Sequence, residues 1–499
     1  MKTTLGIIQI SNSGTGKKMK TSSQSSIRAT RAPGWQWPYP RHDEITVTPL
    51  GGIGEVGMNM TIYGHFGQHI IVDAGHSFPK AENRDGISSY GISPRSLNGL
   101  ANPAGVILTH THEDHIGGVL SLLNGRNNEP LKVWATPLCA ALLRQKTQPL
   151  ENGSLAEGAD LDIIEYMPGE TLSIGFFQIK TIPVSPSVPE ACSLFITCGR
   201  LKKGILHTGD YNMDTGNSLA ATDQAALASL QNVGLVLSDS TNANVATRNS
   251  EAEVSQAFYS LLNERNKRVF VACTSSNITR MHNLHPAADA TGRRFGVRGS
   301  AIERNHAIAR RLNYLNGLSP TLGRSALSNT NSTNNVVMLT GSQAEKNSAL
   351  SRMANGEANM PWASAGDTIV FSSRAIPENE TMIASLIWNF RQFGINVLIG
   401  SDRYNGLPLH ASGHATIPEI KAYYRLARPD HVMPVHGTDS MLLANAEIAN
   451  GMGIKATIPE PGGVYSFTDM GLSHIGKVRP TLTATMETGA IRILPPAAG

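Results

Sequence analysis

A dense cluster of metal-binding side chains at residues 110–115 (His-Thr-His-Glu-Asp-His) constrains this chain most strongly. The cluster follows a short apolar run directly and precedes Ile-Gly-Gly. Imidazole nitrogens and carboxylate oxygens are the ligands that zinc and similar ions prefer. A turn at a strand end can direct His110 and His112 at one ion, and Asp114 and His115 at a second. Since only 16 of 499 residues are His, we interpret the cluster as a metal site rather than a chance surface turn.

The length of the chain predicts more than one domain. Its sequence contains no apolar stretch near the ~18 residues that span a membrane, so we expect no membrane partner. The four cysteines (Cys139, Cys192, Cys198 and Cys273) form no CxxC pair. That spacing excludes a zinc ribbon, argues against a disulfide framework and favours a reducing, cytoplasmic location.

Basic charge is concentrated at the start of the chain. Residues 1–40 contain six Lys and Arg residues and no acid. Subtracting those six from the total of 42 leaves 36 basic against 38 acidic residues, so bulk charge says little about nucleic acid. We predict a disordered basic tail at residues 1–43. The alternatives are a transit peptide, which would place the protein in an organellar matrix, and a basic arm that contacts RNA.

Short β-branched runs recur from Glu44 onward, and helical stretches separate several of them. Continuous apolar runs indicate strands that are covered on both faces, as in layered α/β folds. In such folds chemistry collects at the carboxyl ends of strands. Asp73, Asp210 and His436 lie at such ends. Each one alone would more often be a helix cap or a structural His, but their order after the first cluster favours a shared site.

The chain resembles the metallo-β-lactamase-fold nucleases with a β-CASP insertion, and most closely the ribonuclease J family. The resemblance extends from about residue 48 to about residue 467. It depends on segments Pro49–Asn59, Asp73–Gly75, 110–118, His207–Asp210, Ser238–Asn242, Gly341–Gln343, Ser372–Pro377, His410–His414 and Pro434–Gly437.

The resemblance implies an αββα sandwich interrupted by an α/β domain. The sandwich would comprise residues 44–245 and 391–470, and the β-CASP domain would comprise residues 246–390. Residues 471–499 would form a short extension in place of the separate C-terminal domain of the family, which makes dimerisation less secure. The predicted assembly is a homodimer or a heterodimer with a paralogue, and the sequence does not decide between them and a monomer.

The resemblance also implies a site for two zinc ions, with Mn²⁺ as a further metal. The first ion would be bound by His110 and His112, and the second by Asp114, His115 and His436. Asp210 would bridge the two ions. Asp73 would orient the ligands from behind, since such partners matter nearly as much as the ligands themselves.

Catalytic and RNA-binding residues follow from the same resemblance. Asp114, Asp239 and His414 would be catalytic, with His414 as a proton donor or a phosphate stabiliser. The pocket for the 5′-monophosphate of single-stranded RNA would be formed by Ser342, Ser373, Arg374, His410, Ala411, Ser412, Gly413 and His414. Hydroxyls, backbone amides and Arg at strand ends suit phosphate oxygens.

One position departs from the family pattern. The family has a metal-ligating His in a segment of the form Val-x-His-Ser-Ile-Pro-Asp, and Pro186 stands at that position here. Proline has no side-chain donor, so the first ion would keep three protein ligands. The site would then bind that ion weakly, or His76 or Cys192 would replace the missing ligand. Alternatively, the chain is a catalytically impaired paralogue that binds RNA.

These implications predict a zinc-dependent phosphodiesterase that degrades RNA from 5′ to 3′, with endonuclease action as a further expectation. Its expected processes are rRNA processing and mRNA decay. An RNA-binding or regulatory paralogue is one alternative. A β-CASP nuclease that acts on DNA is another, because no residue in the sequence must contact a 2′-hydroxyl.

Overall fold

The computed structural model describes residues 37–78, 86–100, 103–123, 130–147, 161–216, 219–327, 334–357, 360, 363–376, 379–486 and 491–494. From Trp37 onward these residues form one compact unit. Most of the predicted basic tail, up to residue 36, lies outside the described residues.

The strands of the described chain are β1 (Ile45–Gly51), β2 (Met60–His65), β3 (Gln68–Val72), β4 (His76–Ser77), β5 (Ile87–Ile92), β6 (Pro103–Ile107), β7 (Leu131–Ala135), β8 (Leu161–Glu165), β9 (Thr171–Ile174), β10 (Phe177–Pro183), β11 (Cys192–Cys198), β12 (Gly204–His207), β13 (Val233–Asp239), β14 (Val269–Ala272), β15 (Arg294–Arg298), β16 (Asn335–Leu339), β17 (Thr368–Phe371), β18 (Asn396–Ile399), β19 (Arg403–Tyr404), β20 (Leu407–Pro408), β21 (His431–Val435), β22 (Lys455–Ala456), β23 (Gly463–Thr468), β24 (Gly471–Lys477), β25 (Leu482–Met486) and β26 (Ile491–Ile493).

The α-helices of the same residues are α1 (Glu113–Ile116), α2 (Pro137–Lys146), α3 (Gln224–Ala228), α4 (Glu251–Glu264), α5 (Ile278–Ala290), α6 (Ser300–Arg311), α7 (Arg324–Leu327), α8 (Ala349–Ala354), α9 (Glu380–Gln392), α10 (Ile417–Ala427) and α11 (Asp439–Gly451).

Two large sheets form the centre of the molecule. The first has eight strands in the order β24-β23-β1-β2-β3-β6-β7-β8, and the second has seven in the order β22-β21-β13-β12-β11-β10-β9. One buried apolar cluster joins their facing sides, with Val47 and Val72 from the first sheet and Phe177, Leu194 and Leu235 from the second. Burying such a side chain stabilises the fold by about 1.5–3 kcal/mol.

Helices cover the outer face of each large sheet. Leu138 of α2 shares an apolar cluster with Val106 and Val133 of the first sheet. Ile420 of α10 shares another cluster with Val236 of the second sheet. These helix, sheet, sheet and helix layers confirm the predicted αββα sandwich.

A third, five-stranded sheet lies between β13 and β21 in the sequence. Its order is β15-β16-β14-β17-β18, and all of its strands are parallel. The central strand β14 is buried throughout, as expected for a parallel sheet covered on both faces. This sheet and its helices confirm the predicted inserted α/β domain, hereafter the inserted unit. The sheet continues to Ile399, so it extends past the predicted boundary at residue 390.

The predicted C-terminal extension contributes to two sheets. Strand β24 pairs with β23 at one edge of the first large sheet. Strand β25 pairs with β5 and with β26, and β5 also pairs with β4 in a four-stranded sheet. The strands after Thr468 are therefore integrated with the first large sheet and with β4 and β5.

Candidate metal centre

Parallel strands bring the predicted ligands to the same edges of the two large sheets. Strand β3 runs parallel to β6, and β12, β13 and β21 run parallel to one another. Asp73 directly follows β3, and His436 directly follows β21. Both adopt left-handed backbone conformations, with φ of 59° and 53°. Such conformations are uncommon for residues other than glycine and often occur at functional sites.

The Asp73–Gly75 segment packs directly against the His-rich turn. The Asn59 backbone N–H donates to the Asp114 carbonyl at 3.0 Å, and the Ala74 N–H donates to the His115 carbonyl at 2.8 Å. A Cβ atom at Gly75 would lie only 1.6 Å from the Asp114 carbonyl oxygen. Only glycine permits this approach, which explains the Asp-Ala-Gly motif.

His110, His112 and Asp210 form the first ligand group. His110 Nε2 lies 3.0 Å from His112 Nδ1 and 3.2 Å from Asp210 Oδ2. The distance from His112 Nδ1 to Asp210 Oδ2 is 3.5 Å. Ligands at ~2.0–2.2 Å from a tetrahedral zinc ion are separated by roughly 3.3 Å. The three atoms therefore fit one zinc ion.

Asp114, His115, Asp210 and His436 form the second ligand group, in which ligand atoms lie within 4.8 Å of one another. Asp210 Oδ1 lies 3.1 Å from His115 Nε2 and 3.0 Å from His436 Nδ1. His436 Nε2 lies 3.2 Å from Asp114 Oδ2. Asp210 thus directs one oxygen at each group, as a carboxylate that bridges two ions would.

Several atoms of the second group are buried without hydrogen bonds. Asp210 Oδ1 and both ring nitrogens of His436 have no hydrogen-bond partner among the described residues, although they lie close together. Buried polar atoms in proteins are nearly always satisfied. A bound cation would satisfy these atoms, so the side chains fit the predicted metal.

Charges around the site favour a cation. Burial lowers the pKa of His436, but Asp210, Asp114 and Asp239 outweigh this and raise it to about 10. A site that stabilises a protonated imidazole also stabilises other positive charge. Burial and the neighbouring His115 lower the pKa of His110 to about 4. His110 is therefore neutral at pH 7, which is the form that binds metal.

Asp73 contacts His115 on the ring nitrogen that does not face Asp210. Its carboxylate accepts hydrogen bonds from the Thr109 backbone N–H and hydroxyl, both at 2.8 Å. It also lies 2.7 Å from His115 Nδ1. Burial raises the pKa of Asp73, but His115 outweighs this and holds it below the usual range. A carboxylate on one imidazole nitrogen fixes the ring so that the other nitrogen can bind metal.

The two other predicted catalytic residues, Asp239 and His414, form a pair beside the second group. His414 Nδ1 lies 2.8 Å from Asp239 Oδ2 and 3.8 Å from Asp210 Oδ2. Thr241 donates its N–H and hydroxyl to Asp239 Oδ1 and fixes that carboxylate. Burial lowers the pKa of His414, but Asp239 and Asp210 outweigh it and raise the pKa above the ordinary value. Helix α10 fixes the chain after His414 through a capping box at its start.

The residues predicted to bind phosphate converge from separate segments. Ser373 Oγ donates to the Ser342 carbonyl at 3.5 Å, and Ser342 Oγ is buried without a partner among the described residues. His410 Nδ1 is likewise buried without a described partner. The exposed Arg374 donates to the Asn242 side chain at 3.0 Å.

Asn242 also joins this pocket to the His410–His414 segment. Its amide donates to Ser412 Oγ at 2.9 Å and to the His414 carbonyl at 3.1 Å. Ala411 is buried within the segment, and Gly413 approaches Ser187. Asn242 therefore connects Arg374 to the His410–His414 segment.

Three site residues had no predicted role. Asn59 lies 3.0 Å from His115 Nε2, Asn242 connects the substrate segments, and Ser187 Oγ lies 3.1 Å from His112 Nε2. Asn59 and Asn242 each end a segment that carries the family resemblance, and that position could have identified them as site residues. For Ser187 the adjacent departure at Pro186 was the only hint.

The predicted replacement of the missing ligand by His76 or Cys192 is corrected. Neither residue belongs to a ligand group among the described residues. His76 lies on β4, and its Nδ1 is 3.3 Å from Ser89 Oγ, beside Gly117. Cys192 donates to the Glu190 carbonyl at 3.5 Å, and burial raises its pKa to about 12. The residue next to Pro186, Ser187, instead contacts the first ligand group through His112.

The sandwich, its ligand groups and the inserted parallel sheet define a metallo-β-lactamase-fold protein with a β-CASP domain. Three sequence families match segments of this chain. They are "Ribonuclease J, beta-CASP domain" at residues 266–390, "Beta-lactamase superfamily domain" at residues 68–269 and "Zn-dependent metallo-hydrolase RNA specificity domain" at residues 408–459.

Individual relatives identify the family more narrowly. The chain is 33% identical over 430 residues to ribonuclease J of Sinorhizobium meliloti, which covers 84% of this chain and 72% of the relative. It is 35% identical over 416 residues to ribonuclease J of Mycobacterium tuberculosis, which covers 82% and 72%, respectively. This protein therefore belongs to the ribonuclease J family.

A solved structure shares the fold. It is a crystal structure of a protein of unknown function from Enterococcus faecalis V583, with a TM-score of 0.59 at 14% identity. The match covers 85% of this chain and all of that chain. Within the described residues, no helix is both long enough and apolar enough to span a membrane.

Proposed function

We propose that this protein is a metal-dependent ribonuclease that degrades single-stranded RNA from a 5′-monophosphorylated end, with endonuclease action as a second mode. One observation carries the proposal: Asp210 directs its two oxygens at two separate ligand groups. Zn²⁺ is the proposed metal because nitrogen and carboxylate oxygen ligands suit it, and Mn²⁺ is the proposed substitute.

Two bound divalent ions would supply water activation near neutral pH and charge neutralisation on the scissile phosphate. The chain itself would orient the ligands and move protons. Asp73 fixes the ring of His115, and Asp239 fixes the ring of His414. Because the pKa of His414 is raised, this side chain can hold a proton and deliver it to the 3′ leaving oxygen.

The segments that contain Ser342, Arg374 and His410 would bind the 5′-phosphate. Ser342 and His410 present buried polar atoms without described partners, and Arg374 adds an exposed guanidinium. A terminal phosphate offers acceptor oxygens and negative charge to such a set. This pocket would hold the RNA end and so favour cleavage from 5′ to 3′.

The test uses the purified chain with single-stranded RNA in Zn²⁺ or Mn²⁺. We expect decay of 5′-monophosphorylated RNA and slower decay of RNA with a 5′-hydroxyl. Asp114→Ala should lower kcat roughly 10²–10³-fold. Asp162→Ala is the matched control, because Asp162 is an exposed carboxylate on edge strand β8.

Two results would contradict parts of the proposal. Equal cleavage of DNA of the same sequence would contradict the preference for RNA. RNA binding without turnover in either metal would favour the second candidate, a catalytically impaired RNA-binding paralogue. That candidate is favoured by a specific observation: Pro186 leaves the first ligand group with only three described protein ligands.

A further inference from the structure

The segment at residues 185–190 connects two strands of the second large sheet and contains the departure from the family pattern. We name it the Pro186 loop. The Val184 N–H donates to the Ala191 carbonyl at 2.9 Å and closes the loop at its base. The Ser185 N–H donates to the Thr222 hydroxyl at 3.1 Å. A short loop with a closed base has little freedom, so contacts at its tip and end determine where its side chains lie.

One part of the Pro186 loop contacts the first ligand group. Ser187 Oγ lies 3.1 Å from His112 Nε2. This contact occupies one imidazole nitrogen, and the other, Nδ1, faces His110 and Asp210. The loop also supports the substrate segment, since a Cβ atom at Gly413 would lie 3.2 Å from the Ser187 backbone nitrogen. Ser187 is therefore placed to orient His112.

The other end of the Pro186 loop contacts the inserted unit. Glu190 Oε1 accepts a hydrogen bond from the Tyr314 hydroxyl, which follows helix α6. Glu190 Oε2 accepts from the Leu138 N–H in α2 at 2.7 Å. Glu190 itself has a left-handed backbone, with φ of 64°. One carboxylate thus joins the loop to a helix of the sandwich and to the inserted unit.

We infer that Tyr314 and Glu190 are positioning residues for the first metal ion. The inserted unit, through the Tyr314–Glu190 hydrogen bond, holds the Pro186 loop so that Ser187 orients His112. A hydrogen bond to the remote nitrogen of a ligating imidazole fixes its orientation and strengthens metal binding. This inference rests on the proposed metal assignment, but it does not require that the chain cleave RNA.

The loop contact also implies a link between the inserted unit and the first ligand group. An inserted unit that moves away from the sandwich would release Glu190 and loosen Ser187. Binding of RNA and binding of the first metal ion would then change each other's affinity by the same factor. We therefore expect RNA that contacts both the sandwich and the inserted unit to strengthen binding of the first ion.

The experiment titrates the full chain, without RNA, with Zn²⁺ against a chromophoric chelator. His110→Ala should remove the weaker of two binding steps, which assigns that step to the first group. Ser187→Ala should weaken this step about 10-fold or more, and Ser187→Thr, which keeps a hydroxyl, should restore it. Tyr314→Phe should weaken the same step roughly fivefold, because only one hydrogen bond is lost.

The matched control is Tyr404→Phe, which removes another Tyr–Glu hydrogen bond. Tyr404 donates to Glu264 Oε2 at 2.6 Å, away from the Pro186 loop. This variant should leave both binding steps unchanged. Hydrogen exchange of the peptide at residues 184–191 should increase in Tyr314→Phe and stay at the wild-type rate in Tyr404→Phe.

A double-mutant cycle gives the decisive comparison. Since Tyr314 acts through Ser187, the Tyr314→Phe/Ser187→Ala double variant should bind the first ion as weakly as Ser187→Ala alone. If the affinity losses of the two single variants multiplied in the double variant, that result would overturn the inference. So would a Tyr314→Phe variant with wild-type affinity, or a wild-type chain that takes up no ion in the first group. A chain that binds both ions but cleaves no RNA would contradict the proposed function and leave this inference standing.

Discussion

The two ligand groups differ in how firmly the fold holds them. In the second group the side chains of His115 and His436 are each only 3% exposed, and the Asp73 carboxylate contacts the outer ring nitrogen of His115. In the first group the side chain of His112 is 18% exposed, and its described outer partner is the hydroxyl of Ser187. Exposure alone does not separate the groups, because the side chain of Asp114 is 23% exposed and that of His110 is fully buried. The groups differ in the outer contact of one imidazole: a buried carboxylate holds His115, whereas a loop hydroxyl holds His112. A single substitution in the loop can therefore weaken the binding of the first ion while the second ligand group stays intact.

Loss of the shared ligand should have the largest effect. Asp210→Asn removes the negative charge that both groups use, so we expect both ions to bind poorly and kcat to fall ~10³-fold or more. Elemental analysis and RNA decay measure the two effects. If this variant retained the second ion at full occupancy, the bridging role of Asp210 would be wrong.

Loss of the proposed proton donor should separate catalysis from metal binding. His414→Gln removes the titratable group, so kcat should fall about 10²–10⁴-fold. Metal content should remain that of the wild type, because His414 is not a proposed ligand of either ion. A parallel loss of metal would show that His414 holds the second group together instead.

Removal of the Asp73 charge should lower metal affinity less than loss of Asp210 does, and it should act mainly on the second group. Asp73→Asn keeps the shape of the side chain but loses the charge-assisted contact with His115. Zn²⁺ affinity of the second group should fall about 10–100-fold, with the first group affected less. Competition titration separates the two steps, and equal losses in both groups would contradict the distinction between them.

The smallest expected change is a gain. Pro186→His offers an imidazole at the position where the family has a ligand, so affinity of the first group should rise by about 10-fold. Affinity of the second group should not change. No gain would indicate that the Pro186 loop cannot direct a side chain at the ion.

The sequence could predict that the residues of the second group lie close together, because local geometry determines their positions. Asp73, Asp210 and His436 follow strands, and parallel strands place such residues at a common edge. The His-rich turn supplies Asp114 and His115 within two adjacent positions. Strand ends and chain order therefore indicated a shared site, and the family resemblance implied which residues would bind each ion.

Contacts between distant segments could not be predicted in the same way. Ser187 and His112 are separated by 75 positions, and Tyr314 and Glu190 by 124. His76 was chosen as a replacement ligand because it lies only three positions after Asp73. The pairing of β4 with β5 instead places its ring beside Ser89. Proximity in sequence does not determine the direction of a side chain after a turn.

The central claim is that Asp210 joins a firmly held second metal group to a weaker first group. Crystals of the full chain equilibrated at increasing Zn²⁺ concentrations, with anomalous scattering recorded at the zinc edge, test it directly. We predict a first peak among Asp114, His115, Asp210 and His436, and a later peak beside His110 and His112. A peak beside His110 that fills first, or a single peak away from Asp210 at all concentrations, would contradict the claim.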